Sequence, residues 1–157
     1  GEIAQVAVWG NHSNTQFPDL TFATVGGAPA LDVIDKDTWL DTIVPTVATR
    51  GGAVIQARGG SSVVSAASAT LDHLRDWEQG TDGRWVSMAV PTQSLPEDAR
   101  YGVPAGVVYS YPVTIENGTY TVVPQLELND LQRQRITASA NELLDERSTA
   151  AGKGHLD

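Results

Sequence analysis

The chain has no cysteine, only two lysines among its ten basic residues, and no apolar run approaching a membrane span, which takes ~20 residues. Each absence excludes something. Without cysteine there is neither a disulfide framework nor a thiolate metal site, which points to a reducing compartment. Ten basic against nineteen acidic residues leave a formal charge of −9, with Lys and Arg spread thinly, whereas binding nucleic-acid phosphates needs them clustered. No nucleic-acid partner is expected. No membrane partner is expected either, and Gly1-Glu2-Ile3 does not open a signal peptide. The scarcity of lysine, confined to Lys36 and Lys153, carries no functional meaning. The three histidines sit far apart without a His-x-x-x-His or a companion carboxylate pair, so no metal site is expected. A hydrolase's Gly-x-Ser-x-Gly elbow is missing, because Gly59-Gly60-Ser61-Ser62 lacks the closing glycine. The Gly-x-Gly-x-x-Gly turn of a dinucleotide-binding fold is missing too, since the glycine pairs at 26–27, 51–52 and 59–60 have no third glycine at the right offset.

What is present suffices for one domain. A chain of 157 residues, 41% of them hydrophobic, is long enough to bury roughly two-thirds of its unfolded surface. Ile3–Trp9 reads as a strand, and the polar run over 10–20 as a loop that can carry function. Leu20–Val25 reads as a second strand or hairpin closed by Gly26-Gly27. Thr38 and Asp41 resemble a capping box, and Trp39, Ile43, Val44 and Val47 mark a helix face that Pro45 must bend. Ala53-Val54-Ile55, set between paired glycines, is expected in a buried turn closely approached by other backbone. Val64, Ala67, Leu71, Leu74 and Trp77 recur at helical spacing. A helix is therefore expected from about Ser61 to Glu78, with that stripe in the core and the small residues Ser62, Ser65, Ala66 and Ala69 on its other face.

The second half turns to strands. Val86, Met88 and Val90 alternate with Ser87 and Ala89, and a Pro-rich acidic loop follows from Pro91 to Pro104. Val107–Ile115 and Tyr120–Val123 flank Asn117-Gly118, the signature of a two-residue type I′ hairpin turn. Leu128, Leu131, Ile136, Ala140, Leu143 and Leu144 trace one face of a helix over about 129–148, with Asn129 as N-cap and Gln132 completing its box. Residues 150–157 are expected to fray. Helices and antiparallel strands in separate runs define an α+β domain, in which antiparallel strands and hairpins pack with long helices, and no internal repeat appears.

The run Val6-Ala7-Val8-Trp9-Gly10 carries an apolar strand into a glycine, so that Asn11-His12-Ser13 project from a rigid edge. An imidazole titrates at about 6.5, and a well-held His12 would both give and take a proton at neutral pH. By residue type alone, a single histidine among small polar side chains is more often a surface or capping residue. The wider string Trp9-Gly10-Asn11-His12-Ser13-Asn14-Thr15-Gln16, followed by Pro18-Asp19, resembles the active-site histidine segment of malate dehydrogenases of the cytosolic type. The likeness continues in family order through 48–62, Ala66–Ala69, Trp85–Val90 and Tyr101-Gly102-Val103-Pro104, and covers nearly the whole chain.

That resemblance implies the C-terminal catalytic domain of such an enzyme over residues 1–157. The N-terminal NAD-binding domain, the substrate-clamping arginines and a Leu-Asp-x-x-Arg motif are expected to lie outside this chain, upstream. It implies reversible hydride transfer between malate and oxaloacetate with NAD, a step of the tricarboxylic acid cycle, in a cytoplasmic homodimer. His12 takes the acid/base role, with its carboxylate partner supplied from upstream, and Ser61 sits beside the substrate, where a helix N-terminus suits a dicarboxylate. As a residue, Ser61 reads equally well as a simple N-cap. Gly10, Asn11 and Ser13 shape the histidine loop, and the face at Ser62, Ser65, Ala66 and Ala69 offers a packing surface for a second subunit. Asp19, the nearest carboxylate in sequence, is expected to be solvated, His73 to face solvent beside Asp72 and Asp76, and His155 to lie in the fraying tail. The alternative is a noncatalytic structural or oligomerisation fragment, inactive without an NAD-binding domain.

Overall fold

The computed structural model describes residues 2–154. At the amino end, the run expected as one strand is two, β1 (Ile3–Ala4) and β2 (Ala7–Trp9). Gln5 between them turns into the left-handed region at φ 56°, which sends the two pieces to different partners. β1 pairs antiparallel with β4 (Thr24–Val25), and β2 with β3 (Phe17–Asp19). β4 returns into β5 (Ala28–Pro29) through Gly26-Gly27, at φ 60° and 85°, so the glycine pair closes a hairpin as expected.

The larger sheet has three antiparallel strands in the order β6 (Val86–Pro91), β7 (Val108–Glu116) and β8 (Thr119–Val122). Asn117 and Gly118, both at positive φ, make the β7–β8 turn. Met88 and Val90 of β6 are buried while Ala89 is exposed, in keeping with the alternation in sequence. Tyr109, Tyr111, Val113 and Ile115 of β7 form the centre of the core with Trp9, Phe17 and Trp39. The α+β class is therefore the one observed.

Four α-helices accompany the sheets among the described residues. The short α1 (Ala30–Val33) is followed by a π turn over Thr38–Ile43, in which the Val44 N–H reaches the Trp39 carbonyl, and this runs straight into α2 (Val44–Arg58). The expected Thr38/Asp41 capping box is absent. Asp35 does the capping instead, its carboxylate accepting from the Thr38 amide at 2.8 Å and the Thr38 hydroxyl at 2.6 Å. Pro45 falls in the first turn of α2, where a missing N–H is tolerated, directly after the wide π turn. Gly51 to Ile55 continue that helix on an exposed surface and form no buried turn, because a Cβ added at Gly51 or Gly52 would meet nothing within 4 Å.

The next helix, α3 (Val64–Gln79), starts three residues later than expected, and its apolar stripe is not core. Val64, Leu71 and Leu74 are 72%, 66% and 58% exposed. Only the carboxyl end of α3 meets the sheet with an aromatic contact, Trp77 against Tyr120 at 6.0 Å. Periodicity tells which residues share a face, not what covers it.

The last helix, α4 (Asp130–Gly152), has the expected capping box: the Asn129 side chain accepts from the Gln132 amide, and the Gln132 side chain accepts from the Asn129 amide. It runs four residues past the expected end, through Ala150, where fraying was anticipated. Residues 155–157, with His155, lie outside the described residues.

Candidate active site

The β2 strand delivers the histidine loop against β7 and α4. Gly10 at its end exchanges backbone hydrogen bonds with Ser110 of β7 at 3.2 and 3.1 Å, while Ser110 Oγ donates to the Val8 carbonyl and the Val8 amide donates to Ser87 Oγ. Gly10 sits at φ 105°, and a Cβ there would lie 2.3 Å from Ser139 Oγ. A glycine is therefore required twice over, for the dihedral and for the close approach of α4. The sharp turn read from the sequence is present, and its second cause is a helix 129 residues away, a separation (Gly10 to Ser139) that no local pattern reports.

Beyond Gly10 the loop is tied to α4 residue by residue. Ser139, buried, accepts from the Asn11 amide at 2.9 Å. Asn11 Nδ2 donates to Glu146 at 3.1 Å, and the hydroxyls of Ser13 and Thr15 both donate to Glu142 Oε2 at 2.5 Å. These donors hold the Glu142 carboxyl below the usual carboxylate range, Ser13 more than Thr15. His12 itself is exposed, with its neighbours on both sides anchored. Gln16 completes the docking on the other flank, its side-chain amide reaching the Ala48 carbonyl of α2 at 3.4 Å.

Asp19 is not the solvated loop carboxylate that was expected. It is buried, accepting from the Trp9 indole at 3.0 Å, the Gln132 side chain at 2.6 Å and the Thr21 amide at 2.9 Å. Its role is to weld β2, β3 and the first turn of α4 together. Tyr109 of β7 donates to the Ile136 carbonyl of α4 at 3.2 Å, and burial raises its phenol well above the ordinary range.

Ser61 lies elsewhere from its expected setting. It does not open α3 but stands exposed in the corner between α2 and α3. The corner begins at Gly59, left-handed at φ 75°, and ends in a γ-turn centred on Val63 at φ 40°, where the Val64 amide reaches the Ser62 carbonyl. Arg58 reaches forward, its guanidinium donating to the Ser61 and Ser62 carbonyls at 3.3 and 2.9 Å. The N-cap reading of Ser61 fails, since α3 has no side-chain cap. His73 is exposed as expected, lying against the Trp77 ring at 6.2 Å.

The sequence reading missed Ser139, Glu142 and Glu146. Their spacing carries a signal: positions i, i+3 and i+7 put all three on one face of α4. Among the described residues no group of three or more His, Asp or Glu side chains is placed to hold a metal ion. No described helix is long and apolar enough to cross a membrane. None of the glycine pairs opens a helix after a strand: Gly26-Gly27 turn a hairpin, Gly51-Gly52 lie inside α2 and Gly59-Gly60 follow its end. The described residues therefore do not form the phosphate-binding turn of a dinucleotide site.

Known proteins share this architecture. The family model described as "lactate/malate dehydrogenase, alpha/beta C-terminal domain" matches residues 2–153. A malate dehydrogenase from Naegleria fowleri is 41% identical with a TM-score of 0.85, over 96% of this chain and 45% of that one. The lactate dehydrogenase of Trichomonas vaginalis, solved in complex with NADH and oxamate, is 31% identical with a TM-score of 0.87, over 96% and 46%. A Plasmodium falciparum malate dehydrogenase, 15% identical at a TM-score of 0.77, shows the same fold. The chain thus spans less than half the length of these solved relatives.

Proposed function

The chain belongs to the lactate/malate dehydrogenase family through that family's C-terminal domain, and on this premise we propose that it is the catalytic half of an NAD-dependent malate dehydrogenase. The observation that carries the reading is His12: an exposed imidazole whose two neighbours are both held by α4. A base must approach a substrate hydroxyl within hydrogen-bond reach, and a solvent-facing ring on a pinned loop is placed to do so. In malate oxidation, neutral His12 takes the proton from the 2-hydroxyl oxygen as that carbon loses its hydride. In oxaloacetate reduction, the imidazolium returns the proton to the same oxygen. A bound nicotinamide cofactor would accept that hydride in oxidation and supply it in reduction, held by a domain that the family resemblance places outside these residues. Ser61, exposed in the α2–α3 corner with its carbonyl held by Arg58, is the proposed substrate contact.

Malate over lactate is supported by the likeness of the Asn11-His12-Ser13 segment and by the 41% identity to a malate dehydrogenase. A cytoplasmic homodimer is part of the same reading. The exposed stripe Val64, Leu71 and Leu74 on α3, with Ser65, Ala66 and Ala69 also exposed, supports a helix that another body covers.

The test is steady-state kinetics on a full-length enzyme carrying this chain. His12→Asn is expected to lower turnover with malate and oxaloacetate by ~10²–10⁴-fold, the range for a lost general acid/base, with NADH affinity unchanged. Turnover within a few-fold of the parent removes His12 from the mechanism. Faster turnover of lactate and pyruvate than of malate and oxaloacetate overturns the substrate assignment.

A further inference from the structure

We propose that Glu142 is a positioning residue for the reaction, setting the direction of the His12 side chain through the hydroxyls of Ser13 and Thr15. The inference rests on the reading of His12 as acid/base and adds the device that aims it. Two hydroxyls from residues 13 and 15 meet one carboxylate oxygen, Oε2 of Glu142, each at 2.5 Å. Ser13 Oγ also lies 2.8 Å from Thr15 Oγ1 and accepts from the Thr15 amide at 3.0 Å, so the two donors form one unit before the carboxylate binds them. On the other side of His12, the Asn11 backbone is held by Ser139, one turn before Glu142. The imidazole has no polar partner among the described residues, so its orientation follows from the backbone on either side. α4 is a rigid base for this: its first turn is capped by Asn129, and Gln132, Ile136, Ser139 and Ala140 are buried.

A carboxylate suits this place better than a neutral acceptor. Both hydroxyls meet one charged oxygen, and charge-assisted hydrogen bonds are roughly twice as strong as neutral ones. Asp145, Glu146 and Lys153 line the same groove on α4, and Asn11 Nδ2 is engaged by Glu146. Partial desolvation favours protonation of Glu142, yet its carboxyl is held below the usual range by the hydroxyl donors of Ser13 and Thr15. The loop and the carboxylate are therefore coupled, and a misplacement of the reacting group by about 1 Å is enough to cost ~10²-fold in rate.

The experiment compares Glu142→Ala, Glu142→Gln, Ser13→Ala/Thr15→Val and the combined triple variant in the full-length enzyme. Turnover, cofactor KM and amide exchange over 11–15 are measured for each. Glu142→Ala and the hydroxyl double variant are each expected to lower kcat by ~10- to 100-fold with cofactor KM within two-fold, and to speed exchange over 11–15 while leaving that of β7 unchanged. Glu142→Gln keeps the shape and one acceptor oxygen but loses the charge, so it is expected to recover only part of the loss. The triple variant is expected to be no worse than the more damaged parent, because the carboxylate contact is common to both and the approach of the Thr15 hydroxyl to Ser139 at 3.0 Å is already lost in the double variant. Glu142→Ala turning over within two-fold of the parent, unchanged exchange over 11–15, or losses that multiply in the triple variant would each overturn the proposal. His12→Asn is run beside them: if that variant stays active, the acid/base reading fails, and with it the function assigned to the contact. If it is inactive while Glu142→Ala is not, only the positioning inference fails.

Discussion

Single residues decide this site through long-range contacts rather than through their neighbours in sequence. Asp19 illustrates this: seven positions from His12, it turns away into the core, where two side-chain donors and one backbone donor satisfy it. A buried carboxylate keeps such partners because leaving its lone pairs unmet costs several kcal/mol. Glu142 is the opposite case, half-buried and facing the loop. Its carboxyl is held below the usual range, so its hold on the loop is fully present above the unfolded carboxylate value of about 4.3 and is lost as pH falls through the lower folded value. Protection of the Asn11 to Thr15 amides, corrected for intrinsic exchange, is accordingly expected to stay level from neutral pH down to about 5 and to fall below about 4. In Glu142→Gln that acid limb should vanish; an unchanged limb would mean that another group controls the loop.

At the scale of elements, β7 holds a feature that ordinarily breaks a sheet. Pro112 lies in the central strand and lacks the N–H that its partner Val123 needs, although its carbonyl does accept from the Val123 amide at 3.0 Å. Tyr101 replaces the missing donor. Its hydroxyl donates to the Val123 carbonyl and accepts from the Leu126 amide at 3.2 Å, from a residue held at φ 53° in the long loop after β6. Tyr101→Phe is expected to cost about 1–3 kcal/mol, the range for leaving partly buried backbone groups unmet, as read by urea denaturation of the 157-residue chain. A loss under 0.5 kcal/mol would show that water serves both groups equally well.

Taken as a whole, the molecule is a well-knit sheet, hairpin and α4 with an outlying pair of helices. α2 beyond its first turns, the corner after it and the amino-terminal two-thirds of α3 expose apolar surface, Ile55, Val63, Val64, Leu71 and Leu74, that an independent domain would bury. Leu71→Ser/Leu74→Ser is therefore expected to leave the stability of the 157-residue chain within ~0.5 kcal/mol, as for exposed sites, while raising its solubility. In the full-length enzyme the same change is expected to weaken assembly, seen in sedimentation velocity across a concentration series. Unaltered assembly would remove this face from the interface. Without the phosphate-binding turn, the chain alone is expected to show neither micromolar NAD binding by calorimetry nor malate-dependent NAD reduction.

The sequence by itself determined the features that depend on short-range geometry. Asn117-Gly118 needed two left-handed residues, Gly26-Gly27 the same, and Asn129 with Gln132 a reciprocal cap within one helical turn; all three appear as read. It also carried the His12 string, whose order of residues resembles one family, although not the geometry around it. The tertiary structure alone decided what covers what. The α3 stripe has the period of a buried face and is exposed, Asp19 has the look of a loop carboxylate and is buried, and Ser61 has the look of a cap and stands in a corner before the helix. Period and residue type report which side chains share a face within a few turns. Which distant surface arrives there, as Ser139 and Glu142 arrive beneath residues 10–15, depends on packing across more than a hundred residues of chain, and no local pattern encodes it.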